Sequence, residues 1–306
     1  RFEHGAVKFD REELHFDVDE TGKPTRCYFK RSHDANKLIE EFMLLANKTV
    51  AESIGKAKKG RKAKTLPYRI HDNPDPQKME TLRQFIVKFG YKVKTEGTKG
   101  AMARSLNKLM DETEGKPEAK MIQTVALRAM MKAKYSVHNI GHFGLAFDYY
   151  THFTSPIRRY PDLMVHRIIR MFIEEGIEKV FDREVKKTCE GISKWSSEVE
   201  RDTLELEREV DKMKIAQFME NNIGKQYDGI VSGVTSYGIH VEIEKCIEGM
   251  VRLSDLRGDF YVLDREKHRV VGNNTGKVIS LGDKVKIEVL NASKESKEID
   301  FMLIEE

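Results

Sequence analysis

The sequence predicts an α+β protein in two parts: a mixed helical and sheet domain over residues 1–222, then a small all-β barrel over 223–306. Three observations lead there. Apolar residues recur at helical spacing through several long segments of the first part. The last stretch, roughly 80 residues, breaks instead into short β-patterned runs separated by Gly, Asn and Asp. The chain has 306 residues, and a single domain takes about 150.

Taken in order, AVKFD and ELHFDVD alternate apolar and polar residues, and the turn DETGKP leads into TRCYFK; this predicts strands joined by turns. From Ser32 the pattern becomes helical, with Leu38, Phe42, Leu45 and Val50 recurring behind a Ser or Asp cap, up to Gly55. KAKKGRKAK, residues 56–64, concentrates positive charge without periodicity; it reads as an exposed loop, either a solvated run or a nucleic-acid contact. After the turn HDNPDP, Pro76 starts a helix running through Leu82, Phe85 and Phe89 to Gly90. Two more helices are expected over 101–111 and 117–134, and a long charged one between Asp182 and Asn222, a strut along the larger domain. From Gly224 the runs YDGIVSGVTSYGIHVEIE, EGMVRLSDL, GKVISLGDKVKIEVLNAS and KEIDFMLIEE suggest a closed barrel of the OB type.

Charge excludes little. Lys and Arg total 54 against 50 Asp and Glu, a net charge of +4, so any anion binding must come from local clusters. Cys27, Cys189 and Cys246 lie far apart without a C-x-x-C pair, which argues against a disulfide framework or a cysteine zinc site and fits a reducing cytoplasm. No apolar stretch approaches the roughly 18 residues of a membrane span, and the start has no signal-like hydrophobic region. The chain begins without Met on a strand-like segment, so it is expected to be the later part of a longer polypeptide.

The sharpest local feature is THFTSPIRRYPDLMVHR, residues 151–167. Ser155 can cap free backbone N–H groups, Pro156 suits a first helical position, and Pro161 forces a kink or restart before Asp162–Arg170. Arg158 and Arg159 are thereby held on a stiff turn near the positive end of a helix, where two cations call for an anion. A phosphate satisfies both the helix end and an arginine fork. Asp162, three residues from Arg159 and four from Arg158, offers an internal ion pair to either. His138, His142, His152 and His166 lack zinc-ligand spacing and read as hydrogen-bonded structural histidines; His166, seven residues after Arg159, is retained as a candidate site member.

GHFGLAFDYYTHFTSPIRRYPDLMVHRII resembles the signature segment of the ribonuclease II/ribonuclease R family of 3′-to-5′ exoribonucleases, with ribonuclease R the nearer subgroup. GAVKFDREELHF, ANKLIEEFMLLANKTVAE and LPYRIHDNPDPQKMETLRQFIVKFGY also resemble that family's catalytic RNB-type domain, in the family's order. The terminal barrel resembles its RNA-binding OB domain of the ribosomal-protein-S-one type.

The resemblance implies processive hydrolysis of RNA from its 3′ end to nucleoside monophosphates in a narrow channel with magnesium at its base. Single-stranded RNA is then the partner, along with the preceding part of the same enzyme. Arg158 matches the arginine that the family places at the scissile phosphate. Arg159 is expected to hold backbone phosphate or the local fold, with Ser155 and His166 as further substrate contacts. Glu40, with Glu41 a close competitor, matches a glutamate that contacts the sugar of the terminal nucleotides. Tyr237 matches the barrel aromatic that stacks on a base; Phe260 and Tyr261, with Arg252 and Lys284, extend that face, and His240 stands where a second aromatic is usual. The family's D-x-x-x-x-x-D-x-D-D magnesium cluster has no counterpart in this sequence, so most magnesium ligands are expected outside it, and the chain alone is expected to be inactive. A non-catalytic single-stranded RNA-binding protein is the alternative.

Overall fold

The computed structural model describes residues 1–8, 13–30, 33–56, 64–116, 118–175, 183–243, 247–264 and 269–304. Most of the basic run 56–64 and Cys246 lie outside the described residues. The chain divides into two compact units, Arg1–Asp10 with Ser32–Thr203, and Arg11–Arg31 with Leu204–Glu306.

Strands β1 (Glu13–Val18) and β2 (Pro24–Lys30) form an antiparallel hairpin. The Asp19 carboxylate closes it, accepting from the Thr21 hydroxyl at 2.6 Å and from the Thr21 and Lys23 amides at 2.9 Å. This hairpin groups with the second unit, where Lys214 donates to the Gly22 carbonyl at 2.5 Å. The expected strand at AVKFD is not formed by residues 5–8. Gly5 adopts φ 96°, and Asn107 instead accepts from the Lys8 amide and donates to the Ala6 carbonyl.

In the first unit, helix α1 (Asp34–Gly55) has His33 rather than Asp34 at its N-cap, in a capping box with Asn36, whose side-chain oxygen accepts from the His33 amide at 3.1 Å; Ser32 lies outside the described residues. Its buried positions are Leu44, Asn47, Ala51 and Gly55, whereas Leu38, Phe42 and Leu45 are more than half exposed. Small residues decide the orientation. A Cβ at Gly55 would fall 2.0 Å from the Tyr68 hydroxyl, so only glycine permits this approach.

Strand β3 (Tyr68–Ile70) precedes helices α2 (Pro76–Val87), α3 (Lys99–Thr113) and α4 (Ala119–Ala129), which bury Met79, Leu82, Ile86, Leu106, Leu109 and Ile122 together. Asp75 caps α2 by accepting from the Gln77 and Lys78 amides, with Pro76 at the first helical position. Helix α4 ends earlier than the expected 134, because β4 (Lys134–Ser136) pairs antiparallel with β3. Tertiary pairing outweighs local helical preference there. Helix α5 (Tyr160–Glu175) packs Val165 and Ile168 against Leu66, Tyr68, Ile70 and Cys189. Helix α6 (Arg183–Met219) runs 37 residues, and the division between units falls within it. Cys27 and Cys189 are both buried.

The second unit holds β5 (Gln226–Val234), β6 (Gly238–Ile243), β7 (Ile247–Arg252), β8 (Tyr261–Asp264), β9 (Arg269–Gly272), β10 (Val278–Ser280), β11 (Lys284–Ser293) and β12 (Glu298–Leu303). Strands β11, β12, β7, β6 and β5 close into a barrel, as the OB expectation required, and β8–β10 form a separate antiparallel sheet. Ile239, Val241, Val251, Ile287, Val289 and Phe301 fill the barrel, and Ala216 and Met219 of α6 join their cluster.

Candidate functional site

The arginine segment begins as an extended stretch laid along β3. Thr151 bridges to Tyr68, and its buried hydroxyl donates to the Pro67 carbonyl at 2.7 Å. Residues 156–158 then form a turn, and α5 starts only at Tyr160. Ser155 therefore does not cap a helix with its side chain. Its carbonyl accepts from the Arg158 and Arg159 amides at 3.3 and 3.1 Å, and Pro161 falls in the first turn of α5, where a missing donor costs nothing.

The two arginines have different fates. Arg159 forks onto the fully buried Asp162, Nε to Oδ2 at 2.9 Å and a terminal nitrogen to Oδ1 at 2.8 Å. Asp162 Oδ1 also accepts from the Ser155 amide at 2.8 Å. Its neighbour Arg158 is exposed, and its guanidinium has no hydrogen bond or ion pair among the described residues. The internal ion pair thus absorbs Arg159 and leaves Arg158 free.

Behind the turn stands a wall of rings: His71 edge-on to His142, His142 to Tyr150, Tyr150 to His152, and His152 to Tyr135. Tyr135 and His152 share a 2.7 Å hydrogen bond. Arg69 lies over the Tyr135 ring and pairs bidentately with Glu200. Burial, reinforced by Arg159 and Arg69, pushes His152 down to about 2, and burial next to His71 pushes His142 down to about 3. Burial raises Tyr135 to about 12. These rings are neutral at physiological pH. Of the three arginines that act on His152, Arg159 and Arg69 have carboxylate partners and Arg158 does not. The uncompensated positive charge is concentrated on one side chain.

Glu40 and Glu41 of α1 are exposed and share Arg1, with Glu40 at 3.9 Å and Glu41 hydrogen-bonded. Glu40 lies seven residues before Asn47, hence on the same side of the helix and about 10 Å along it. Asn47 faces the arginine segment, accepting from the Phe153 and Thr154 amides at 3.0 and 3.2 Å. His166 is used internally: its ring stacks on Phe153 at 4.2 Å, and its Nε2 is 2.9 Å from the Phe153 carbonyl. Asn47 and Asp162's grip on Ser155 were not singled out in the sequence; the only signal for Asn47 was a poor helix former inside a helix.

On the barrel, Tyr237 sits exposed on the turn between β5 and β6, beside an outward row in which His240 pairs with Met250 and Gly238 with Arg252. His240 lies 3.5 Å from Glu248, and Arg252 lies 3.4 Å from Asp300. Phe260 is exposed, but Tyr261 is buried in the core and cannot extend the face as expected, because β8 turns it inward. Among the described residues, no group of three or more His, Cys, Asp or Glu could hold a metal ion. The magnesium implied by the resemblance is therefore not matched by a ligand set there. No helix of the described residues is long and apolar enough to cross a membrane.

Fold and site together define a two-module protein, in which a helical unit presents one uncompensated arginine on a braced turn and an OB-type barrel exposes an aromatic. The RNB domain model matches residues 1–175 and the S1 RNA binding domain model matches residues 220–303; the chain belongs to the RNB domain family. It is 40% identical over 307 residues to ribonuclease R of Aquifex aeolicus, covering 100% of this chain and 42% of that protein. It is 33% identical over 313 residues to ribonuclease R of Escherichia coli strain K12, covering 99% and 38%. Among solved structures, the apo form of Mycoplasma genitalium RNase R matches with a TM-score of 0.87 at 26% identity, covering 99% of this chain and 47% of that one. The same enzyme in complex with ribose methylated single-stranded RNA matches equally well. The chain spans less than half the length of each of these relatives.

Proposed function

We propose that this chain is the arginine-bearing and RNA-gripping portion of a hydrolytic 3′-to-5′ exoribonuclease that releases nucleoside 5′-monophosphates from single-stranded RNA. The observation that carries this reading is the isolated guanidinium of Arg158, exposed on a turn whose other arginine is already neutralised by Asp162. A fixed cation of this kind stabilises charge developing on the phosphoryl oxygens as the diester is cleaved. The neutral ring wall behind it adds no competing negative charge. Glu40 is the acceptor we assign to a terminal 2′-hydroxyl, which would distinguish RNA from DNA. Tyr237 offers its exposed face for stacking to an unpaired base. On this reading most of the magnesium ligands would come from outside residues 1–306.

A second reading, a non-catalytic single-stranded RNA-binding protein, is favoured by the lack of a carboxylate cluster among the described residues. Digestion of a 5′-labelled oligonucleotide by the full-length protein, with and without magnesium, separates the two. The exonuclease reading expects fragments shortening stepwise from the 3′ end together with free 5′-monophosphates. Tight binding of intact RNA under every condition would overturn it in favour of the second.

A further inference from the structure

We propose that Asn47 and Asp162 are positioning residues for Arg158, forming a two-side-chain clamp on the backbone that presents it. This inference rests on the exonuclease reading of Arg158. Three consecutive amides, those of Phe153, Thr154 and Ser155, donate not to a strand but to two side-chain oxygens: Asn47 Oδ1 at 3.0 and 3.2 Å, and Asp162 Oδ1 at 2.8 Å. Both acceptors are buried, at 3% and 0% exposure. The Asn47 amide has one consistent orientation, since its Nδ2 donates to the Tyr150 hydroxyl at 3.2 Å while its oxygen faces the two backbone donors.

Downstream of the clamp the chain is braced again. The Ser155 carbonyl holds the Arg158 and Arg159 amides, the Arg159 side chain returns to Asp162, and the Arg159 carbonyl accepts from Leu163 at 3.4 Å. Of the two guanidinium groups on this turn, that of Arg159 is tied to Asp162, and that of Arg158 is exposed with no hydrogen bond or ion pair among the described residues. Such bracing has a kinetic meaning, because misplacing a group that stabilises a transition state by about 1 Å can cost on the order of 10²-fold in rate.

The test is a double-mutant cycle in the full-length protein, read as single-turnover cleavage of a short 3′-terminated oligoribonucleotide at saturating protein, with affinity measured alongside. Asn47→Ala and Asp162→Asn should each slow cleavage on the order of 10- to 100-fold while changing affinity by less than about threefold. Asn47→Asp keeps the acceptor oxygen and should recover most of the rate. In an Arg158→Ala background, both changes should lose their effect, to within about threefold. A purely structural role would not move these readouts in this pattern; equal losses in both backgrounds, or unaltered rates for both variants, would overturn the clamp. Arg158→Ala cleaving at the unmodified rate would overturn the underlying reading, and the clamp with it. Trp195 emission checks that the variants are folded, and if Asp162→Asn is not, the Asn47 pair carries the test alone.

Discussion

Arg158 and Arg159 are chemically identical neighbours, and the structure predicts that their removal is felt in different ways. Arg159→Met leaves the Asp162 carboxylate fully buried, with the Ser155 amide as its one remaining hydrogen-bond donor among the described residues. Breaking a buried pair by removing one partner costs about 3–5 kcal/mol, and the partial exposure of Arg159 places the value near the lower end, about 3 kcal/mol. For a unit of this size that amounts to a fall in melting temperature of roughly 6–12 °C. Arg158→Ala, which removes an exposed and unbonded side chain, should change stability by less than about 0.5 kcal/mol. The assay is specific to the correct unit because the single tryptophan, Trp195, lies edge-on to Tyr160 at 6.4 Å, beside the arginine turn. Thermal unfolding followed by its fluorescence should show a large shift for Arg159→Met and none for Arg158→Ala. Equal shifts, or a shift below about 2 °C for Arg159→Met, would refute the division of the pair.

Acid should loosen the first unit. His142 and His152 are held far below the ordinary 6.5, at about 3 and about 2, so between those values and 6.5 the unfolded chain binds more protons than the folded one. Stability is therefore full above pH 6.5 and falls as pH drops, by about 2 kcal/mol per histidine at pH 5; urea midpoints by Trp195 fluorescence at pH 7.5 and 5 should differ accordingly, and a double His→Gln variant should flatten the difference. Tyr237→Ala should weaken binding of a long single strand by about 1–3 kcal/mol, or roughly 5- to 150-fold, and leave turnover of a short saturating oligonucleotide unchanged; equal slowing of both would contradict its assignment to the barrel alone. Gly249→Ala should destabilise the barrel by about 1–3 kcal/mol, since the added Cβ would sit 2.5 Å from the Phe301 ring, and circular dichroism melting should show the loss.

Much of this was legible in the chain. Alternation in the last third encodes a barrel because each strand buries one face, and the caps at Asp75 and Pro76 are local chemistry. The arginine pair between two prolines marked the site, but its division was not readable. Asp162 lies at pairing distance from either arginine in sequence, and only its burial beneath the turn selects Arg159. In α1 the apolar positions Leu38, Phe42 and Leu45 make the stronger pattern, yet the packed side is set by Gly55, Ala51 and a polar Asn47, whose value lies in two hydrogen bonds to backbone about a hundred residues away. Such partners leave no periodic trace. The end of α4 escaped for a similar reason, since β4 exists only because β3 is beside it.

The account turns on Arg158 acting on the reacting phosphate rather than on RNA capture. Single-turnover cleavage by full-length Arg158→Ala, with RNA affinity measured on the same preparation, tests this most directly. The account predicts a rate lower by roughly 10²–10³-fold with affinity within a few-fold. Normal cleavage of bound RNA, with the entire defect in affinity, would contradict it.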